Sequence, residues 1–197
     1  MSIIHPSFKH GKNFKMGNFC IIGKNVEVGD DVTIGDYCKI QDECKVGDGT
    51  LLKDHVRFAK KTVIGKNCAV DSYVKSSGIN KIGNNVTLRY DAIIAREVVV
   101  EDDVFISPQV MTIYVTHKGE KKGGIHIGKG AFIGTNATLC EGVKIGEGIV
   151  IGAKALVTKD CLEKGIYVGI PARRMKLIDN DLVDETNNDS AEDSIVS

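Results

Sequence analysis

The chain has 197 residues, 42% of them hydrophobic, and its 26 lysines and arginines balance 26 aspartates and glutamates. That size suits one domain with a real core, with or without a tail. The balanced charge argues against nucleic acid or a membrane surface as partner, no apolar run is long enough to span a bilayer, and the start MSIIHPSFKHGKNF lacks the pattern of a signal peptide, so a cytoplasmic protein is expected.

From Ile4 onward the chain repeats every six residues. Typical units are IGKNVE from Ile22, VGDDVT from Val28 and IGDYCK from Ile34. An aliphatic residue opens each unit, glycine often follows, and a small or β-branched residue sits fifth. The frame runs without a slip for eighteen hexads, to the one that opens at Ile106, and only His10 and Ser76 break the apolar pattern at the first place. A period of six is neither a helix's 3.6 nor a long strand's alternation. It fits short strands joined by regular corners, with places one and five facing inward and glycine at place two easing a tight turn. Three hexads then close one triangular coil, and stacked coils form a parallel β-solenoid. About eight coils at a strand separation of roughly 4.8 Å give a rod about 35–40 Å long.

Five of the six cysteines, Cys20, Cys38, Cys44, Cys68 and Cys161, fall at the fifth, inward place and read as small hydrophobes. Cys140 falls at a second place, and no CxxC pair suggests a metal. The hexad SSGINK (76–81) lacks apolar residues at both inward places, which predicts a weak coil face or a local bulge.

The frame expects hexads at 112 and 118, but the second run begins at Ile127, a shift of nine residues. An insertion into a packed solenoid must leave the stack, so a loop within 112–126 is expected to project sideways. It carries His117 in VTHKGEKKGG, too polar to be buried on its own account. His126 lies at its foot, either assisting or anchoring; His5, His10 and His55 lie earlier and read as structural or exposed. With eighteen residues per coil, Arg96 and Glu97 lie beneath the loop's root, and Arg89 and Asp91 lie one face earlier. Two arginines and two acids suit a phosphorylated sugar with an amine; surface ion pairs are the equal alternative for each.

After the loop, IGKGAFIGTNATLCEGVKIGEGIVIGAKALVTKD resumes the hexads, followed by VGIPAR (168–173). Lys154, Lys159, Arg173, Arg174 and Lys176 are the densest basic group outside the loop, suited either to an anionic ligand or to balancing the acidic tail. That tail, 176–197, reads as a short helix or as disorder.

The hexads resemble those of the hexapeptide-repeat acyltransferases over roughly residues 4–175. The resemblance implies a left-handed β-helix, a hand that the repeat alone does not supply and that runs against the usual crossover preference. The VTKD and VGIPAR segments resemble the acyl-CoA-dependent members, which implies acetyl-CoA as co-substrate. It also implies coenzyme contacts at Gly134, Gly152, Ala153, Lys154, Lys159, Arg173 and Arg174, and no metal. VTHKG resembles the place where galactoside- and maltose-type acetyltransferases carry a catalytic histidine, though Lys118 stands where those enzymes usually have proline. The stretch 82–110 is more similar to acetyltransferases of nucleotide-linked amino sugars. N-acetylation of such a sugar, with His117 as base in a homotrimer whose sites lie between subunits, is therefore the leading expectation. Sugar O-acetylation is second. A β-helical zinc carbonic anhydrase needs a third histidine beside His117 and His126, and a scaffold without catalysis is the remaining class.

Overall fold

The computed structural model describes residues 1–175. The acidic tail and Lys176 lie outside the described residues. The chain winds through three parallel sheets in strict rotation. The first runs from Ile3–Ile4 to Leu156–Val157 in nine strands, and the second from Lys9–His10 to Lys144–Ile145 in eight. The third, of ten, runs from Lys15–Met16 to Ile166–Val168 and ends with Arg173–Arg174 added antiparallel. This is the architecture of a left-handed parallel β-helix, with nine turns rather than eight. The three sides beyond the opening residues of the hexads are Met111–Thr112, the bridge of Cys161 to Ile145, and Ile166–Val168, which pairs with Val150–Ile151 although it has left the hexad frame.

Each coil is welded to the next by backbone hydrogen bonds between residues about eighteen apart, such as Ile21 N–H to the Cys38 carbonyl at 2.9 Å and Gly23 N–H to the Ile40 carbonyl at 2.8 Å. Places one and five of the hexad fill the interior as expected. Ile22, Ile34, Ile40, Phe58, Ile64 and Ile94 represent the first place, and Val26, Val32, Val56 and Val98 the fifth. All of these are essentially inaccessible. The five fifth-place cysteines are buried with them and unpaired. Burial pushes the Cys38 thiol up to about 12, and the Cys44 and Cys161 thiols up to about 11, so they pack as neutral groups.

The role of the second-place glycines differs from the expectation. The left-handed backbone angle sits at the fourth place instead, on Asn25 (φ 54°), Tyr37 (φ 57°) and even β-branched Ile79 (φ 55°). Where glycine holds the second place, as at Gly23, the next coil passes too close for a side chain. A Cβ on Gly23 would stand 2.5 Å from Asp42 Oδ1 and 2.7 Å from its nitrogen. That aspartate uses the space to accept the Lys24 N–H at 3.0 Å. The same staple recurs where Asp48 accepts from Asp30 N–H at 3.0 Å and Asn84 from Lys66 N–H at 2.9 Å.

Identical corner places stack from coil to coil. At the corner between the third and first sheets, Phe19, Tyr37, His55 and Tyr73 form a ladder of parallel rings 5.0, 5.0 and 4.7 Å apart. These steps match the strand separation itself. His55 is thus one rung of this ladder.

SSGINK is a regular part of the wall, not a bulge. Ser76 and Asn80 are buried and satisfied by a hydrogen-bonded chain. Thr62 Oγ1 lies 2.7 Å from Ser76 Oγ, Ser76 donates to Asn80 Oδ1 at 2.6 Å, and Asn80 Nδ2 donates to the Ala95 carbonyl at 2.5 Å. Ala95 N–H in turn donates to Thr112 Oγ1 at 2.6 Å. Each polar side chain of this chain of contacts has found a partner, which removes the penalty that an unpaired one would carry.

Replacing Gly23 by alanine pushes a methyl into the neighbouring coil's aspartate and backbone. Thermal unfolding of G23A is expected to show a loss of about 1–3 kcal/mol, the usual cost of overpacking a tight contact. A change below about 0.5 kcal/mol, normal for a free surface site, contradicts the close-approach reading.

Candidate active site

The loop is built by a jump in register. Most steps between coils advance by eighteen residues, as from Ile64 to Ile82, but Val100 lies opposite Ile127 and Met111 opposite Thr138, each twenty-seven residues on. The nine extra residues leave the corner between the first and second sheets after buried Thr112 and return at buried Ile125. Outside the stack they fold into a small antiparallel hairpin. Val115 bridges Lys121, Thr116 N–H donates to the Glu120 carbonyl at 2.9 Å, and Gly119 (φ 76°) makes the turn. Thr116 Oγ1 accepts from Lys118 N–H and Glu120 N–H, each at 3.2 Å. His117 stands in this tip, exposed, with no side-chain hydrogen bond among the described residues.

The root of the hairpin is anchored on Glu97. Tyr114 Oη donates to Glu97 Oε1 at 3.0 Å, and Arg96 Nε lies 3.5 Å from the same oxygen. Desolvation, with the Glu97 contact second, raises the Tyr114 phenol above its usual range, so it stays a donor. Gly124 lies on the Glu97 carbonyl with no room for a Cβ. On the other side, Lys122 Nζ reaches Glu141 at 3.5 Å. Arg96 and Glu97 thus lie beneath the loop's root, as the eighteen-residue coil implies.

Arg89 and Asp91 are elsewhere: they sit at the corner between the third and first sheets, across the first sheet from the loop. Arg89 Nε lies 3.0 Å from Asp71 Oδ2, off the line of a hydrogen bond, while Lys53 Nζ meets Asp71 Oδ1 at 2.7 Å. The Asp71 side chain is only 4% exposed. Tyr90 lies under both cations, at 5.6 Å from Arg89 and 5.5 Å from Lys53. Asp91 pairs with Lys75 at 3.0 Å. Asp71, Lys53 and Tyr90 escaped the sequence reading. The available signal was a run of charges, Lys53, Asp71 and Arg89, at second places eighteen residues apart, where the hexad often carries glycine.

Gly134, Gly152, Ala153 and Lys154 continue that same corner toward the end of the rod. A Cβ on Gly134 would stand 2.5 Å from Ala153 N, so these glycines let the coils close as Gly23 does. Arg173 and Arg174 lie on the terminal antiparallel strand of the third sheet, and Arg174 is committed to Glu163 at 2.9 Å and to the Lys164 carbonyl. Lys159 follows Val157 and lies at the loop's corner instead. The basic residues are therefore divided between two corners.

A second histidine site was not developed from sequence. His126, the first residue after the loop, places Nε2 2.7 Å from Glu101 Oε1, and Glu101 Oε2 accepts Lys129 N–H at 2.9 Å. The His126 hydrogen bond, followed by that amide, holds the Glu101 carboxyl below the usual range. Beside them runs a groove of ≈ 400 Å³ lined by Gly128, Lys144, Ile145, Gly146, Glu147 and Leu162. Glu101 and His126 are 25 residues apart, and only the enlarged register brings them together. Among the described residues no three histidine, cysteine or acidic side chains converge as a metal site would need. No helix among them is long and apolar enough to cross a membrane.

Comparison with known proteins fits this geometry. A family model for bacterial transferase hexapeptide (six repeats) matches residues 124–159, and one for the GMPPB C-terminal domain matches residues 2–118, more than half of the chain. The chain belongs to the hexapeptide-repeat transferase family. The two matches meet across the hairpin, where the repeat is interrupted. A Staphylococcus aureus (strain Mu50) protein that carries the name of an acetyltransferase is 42% identical over 80 residues, 40% of this chain and 40% of the relative. The chain thus spans well under half the length of the staphylococcal relatives that it matches. The galactoside O-acetyltransferase of Escherichia coli K12 is 32% identical over 130 residues, 59% of this chain and 64% of that enzyme. The crystal structure of a UDP-N-acetylglucosamine O-acyltransferase from Moraxella catarrhalis superposes with a TM-score of 0.80 at 22% identity, covering 89% of this chain and 72% of that one. That likeness is one of fold.

The Tyr114–Glu97 anchor makes a separable prediction. Tyr114→Phe removes one hydrogen bond at the hairpin root, and hydrogen exchange of amides 113–124 is expected to accelerate by about three- to tenfold, the equivalent of about 0.5–1.5 kcal/mol, while coil amides keep their protection. Unchanged loop exchange contradicts the anchoring role.

Proposed function

We propose that the chain is an acetyl-CoA-dependent acetyltransferase acting on the amino group of a UDP- or dTDP-linked amino sugar, in the cytoplasm, on a route to surface polysaccharide. One observation carries the reading. The rod departs from its register at a single point between 22 and 157, and what it projects there is a hairpin tipped by a histidine. The acetyltransferase names of the relatives supply the reaction class.

The chemistry asks little more. The acceptor nitrogen bonds to the thioester carbonyl carbon, the carbon–sulfur bond breaks, and His117 takes the proton that the nitrogen loses. An imidazole is suited to that at neutral pH. Arg89 and Arg96 would meet the diphosphate, and Asp91 and Glu97 the sugar's ammonium or hydroxyl groups. Lys154, Lys159, Arg173 and Arg174 would meet the coenzyme's phosphates, with Gly134, Gly152 and Ala153 lining its path. The two separated corners support a homotrimer, in which the hairpin of one subunit faces the Arg89 corner of another and the site lies between them. O-acetylation of a sugar hydroxyl is the second reading, favoured by the galactoside O-acetyltransferase match over 64% of that enzyme.

The test is mass-spectrometric detection of acetylated product from acetyl-CoA and a panel of UDP- and dTDP-linked amino sugars, with free galactosides alongside. The reading expects turnover on an amino-sugar nucleotide; turnover on galactosides alone selects the second reading. His117→Ala is expected to lower the rate at least about tenfold with the melting temperature unchanged. Wild-type rates in that variant remove His117 from the chemistry.

A further inference from the structure

The paired imidazole at the loop's foot has features that the tip histidine lacks. His126 Nε2 is fixed by Glu101, whose second oxygen is itself fixed by the Lys129 amide. The ring is thus held in one orientation through two hydrogen bonds, the arrangement by which a carboxylate sets an imidazole for proton transfer. Nδ1 makes no hydrogen bond among the described residues and is the nitrogen left to exchange a proton. His126 stands in the outward column of the second sheet, with Val99 on one side and Lys144 on the other.

The neighbouring groove suggests what would reach that nitrogen. Its floor is apolar or bare backbone, from Gly128, Ile145, Gly146 and Leu162, and Leu162 is 64% exposed. It climbs two coils from His126 to the top of the rod, because Ile127 pairs with Ile145, and Ile145 bridges to Cys161. Lys159 sits just before that bridge, and Asp160 is occupied in accepting Lys144 N–H at 2.9 Å. A long, flexible thioester with an anionic far end would span this path, its charge toward Lys159 and its reacting end at His126. The two steps of the stack cover about 10 Å.

We propose that His126, oriented by Glu101, protonates the sulfur that leaves during acyl transfer, and that the second-sheet groove holds the thiol end of the co-substrate. This rests on the acetyltransferase reading and adds a second proton-transfer residue to it. The acceptor's nitrogen or oxygen bonds to the carbonyl carbon and its proton passes to His117. The carbon–sulfur bond breaks with its electron pair going to sulfur, and the proton on His126 Nδ1 passes to that sulfur, releasing the thiol. His126 regains a proton from water and His117 loses one to water, which returns both to their starting states. Glu101 is a positioning residue in this scheme, since it holds the imidazole and the Lys129 amide and none of the reacting atoms.

A leaving-group acid has a signature that a structural ion pair does not. It matters when the departing thiolate is basic, as for an alkyl thiol, and ceases to matter when the thiolate is stable by itself. The experiment measures acyl transfer to hydroxylamine, read as the hydroxamate, from acetyl-CoA and from the acetyl thioester of 4-nitrothiophenol. Wild type is compared with His126→Asn, His126→Gln and Glu101→Gln, and thermal melts check the fold. The expected result is a loss of at least about tenfold with acetyl-CoA for each variant, shrinking to under about twofold with the aryl thioester. Equal losses on both thioesters, or no loss on acetyl-CoA, overturn the proposal while the acetyltransferase reading stands. If wild type accelerates transfer from acetyl-CoA neither to hydroxylamine nor to any sugar of the panel, that reading fails and takes this one with it.

Discussion

Everything in this molecule follows from the contact of one coil with the next. Backbone hydrogen bonds at about 2.8–3.2 Å tie residues seventeen or nineteen positions apart, and where glycine holds the second place its missing Cβ leaves room for the next coil. The aspartates at place three then fill the room that the glycine leaves and cap the corner amide of the coil before. Because each repeat touches only its neighbours, any residue placed at one corner is repeated above itself. The Phe19–Tyr37–His55–Tyr73 ladder and the Lys53–Asp71–Arg89 column are both products of that rule.

The same contact explains why the loop stands where it does. Nine additional residues cannot be absorbed between coils already in hydrogen-bonding contact, so they are expelled as a hairpin. The wall beneath the hairpin is stiffened rather than weakened. A buried chain of hydroxyl and amide groups runs from Thr62 through Ser76 and Asn80 to Thr112, and it pins both sides of the Ala95 peptide just before the Glu97 anchor. The expulsion also changes which residues are neighbours: Glu101 meets His126 only because the step there is twenty-seven residues long. One insertion therefore supplies a histidine on the tip, a second on the foot, and the carboxylate that orients the latter.

Much of this was legible from the order of residues. Ile22, Val26, Ile34 and Ile94 face inward because a period of six allows a three-sided coil few other ways to hide them, and the shift before Ile127 shows the loop before any coordinates. What stayed hidden depends on contacts between coils. The second-place glycines looked like turn residues, whereas the left-handed angle falls two places later, on residues as unlikely as Ile79. Ser76 and Asn80 looked like a weak face because their partners, Thr62 and the Ala95 peptide, lie on adjacent coils. Arg89 was separated from Arg96 by a whole sheet, which linear spacing does not express, and its buried partner Asp71 was masked as an ordinary polar residue. The ninth turn escaped because its sides, Met111–Thr112, the Cys161 bridge and Ile166–Val168, fall beyond the opening residues of the two hexad runs.

The central claim is that the hairpin is expelled from a rod that does not need it, and that the chemistry resides there. Excising residues 114–122 would leave Thr112-Ile113-Gly123-Gly124-Ile125-His126, a six-residue unit in frame with Ile127. The shortened protein is predicted to unfold cooperatively at a melting temperature no lower than that of the full chain, and to transfer no acetyl group to any acceptor that the full chain uses. Failure of the shortened rod to fold, or acetyl transfer at the original rate, would contradict the account.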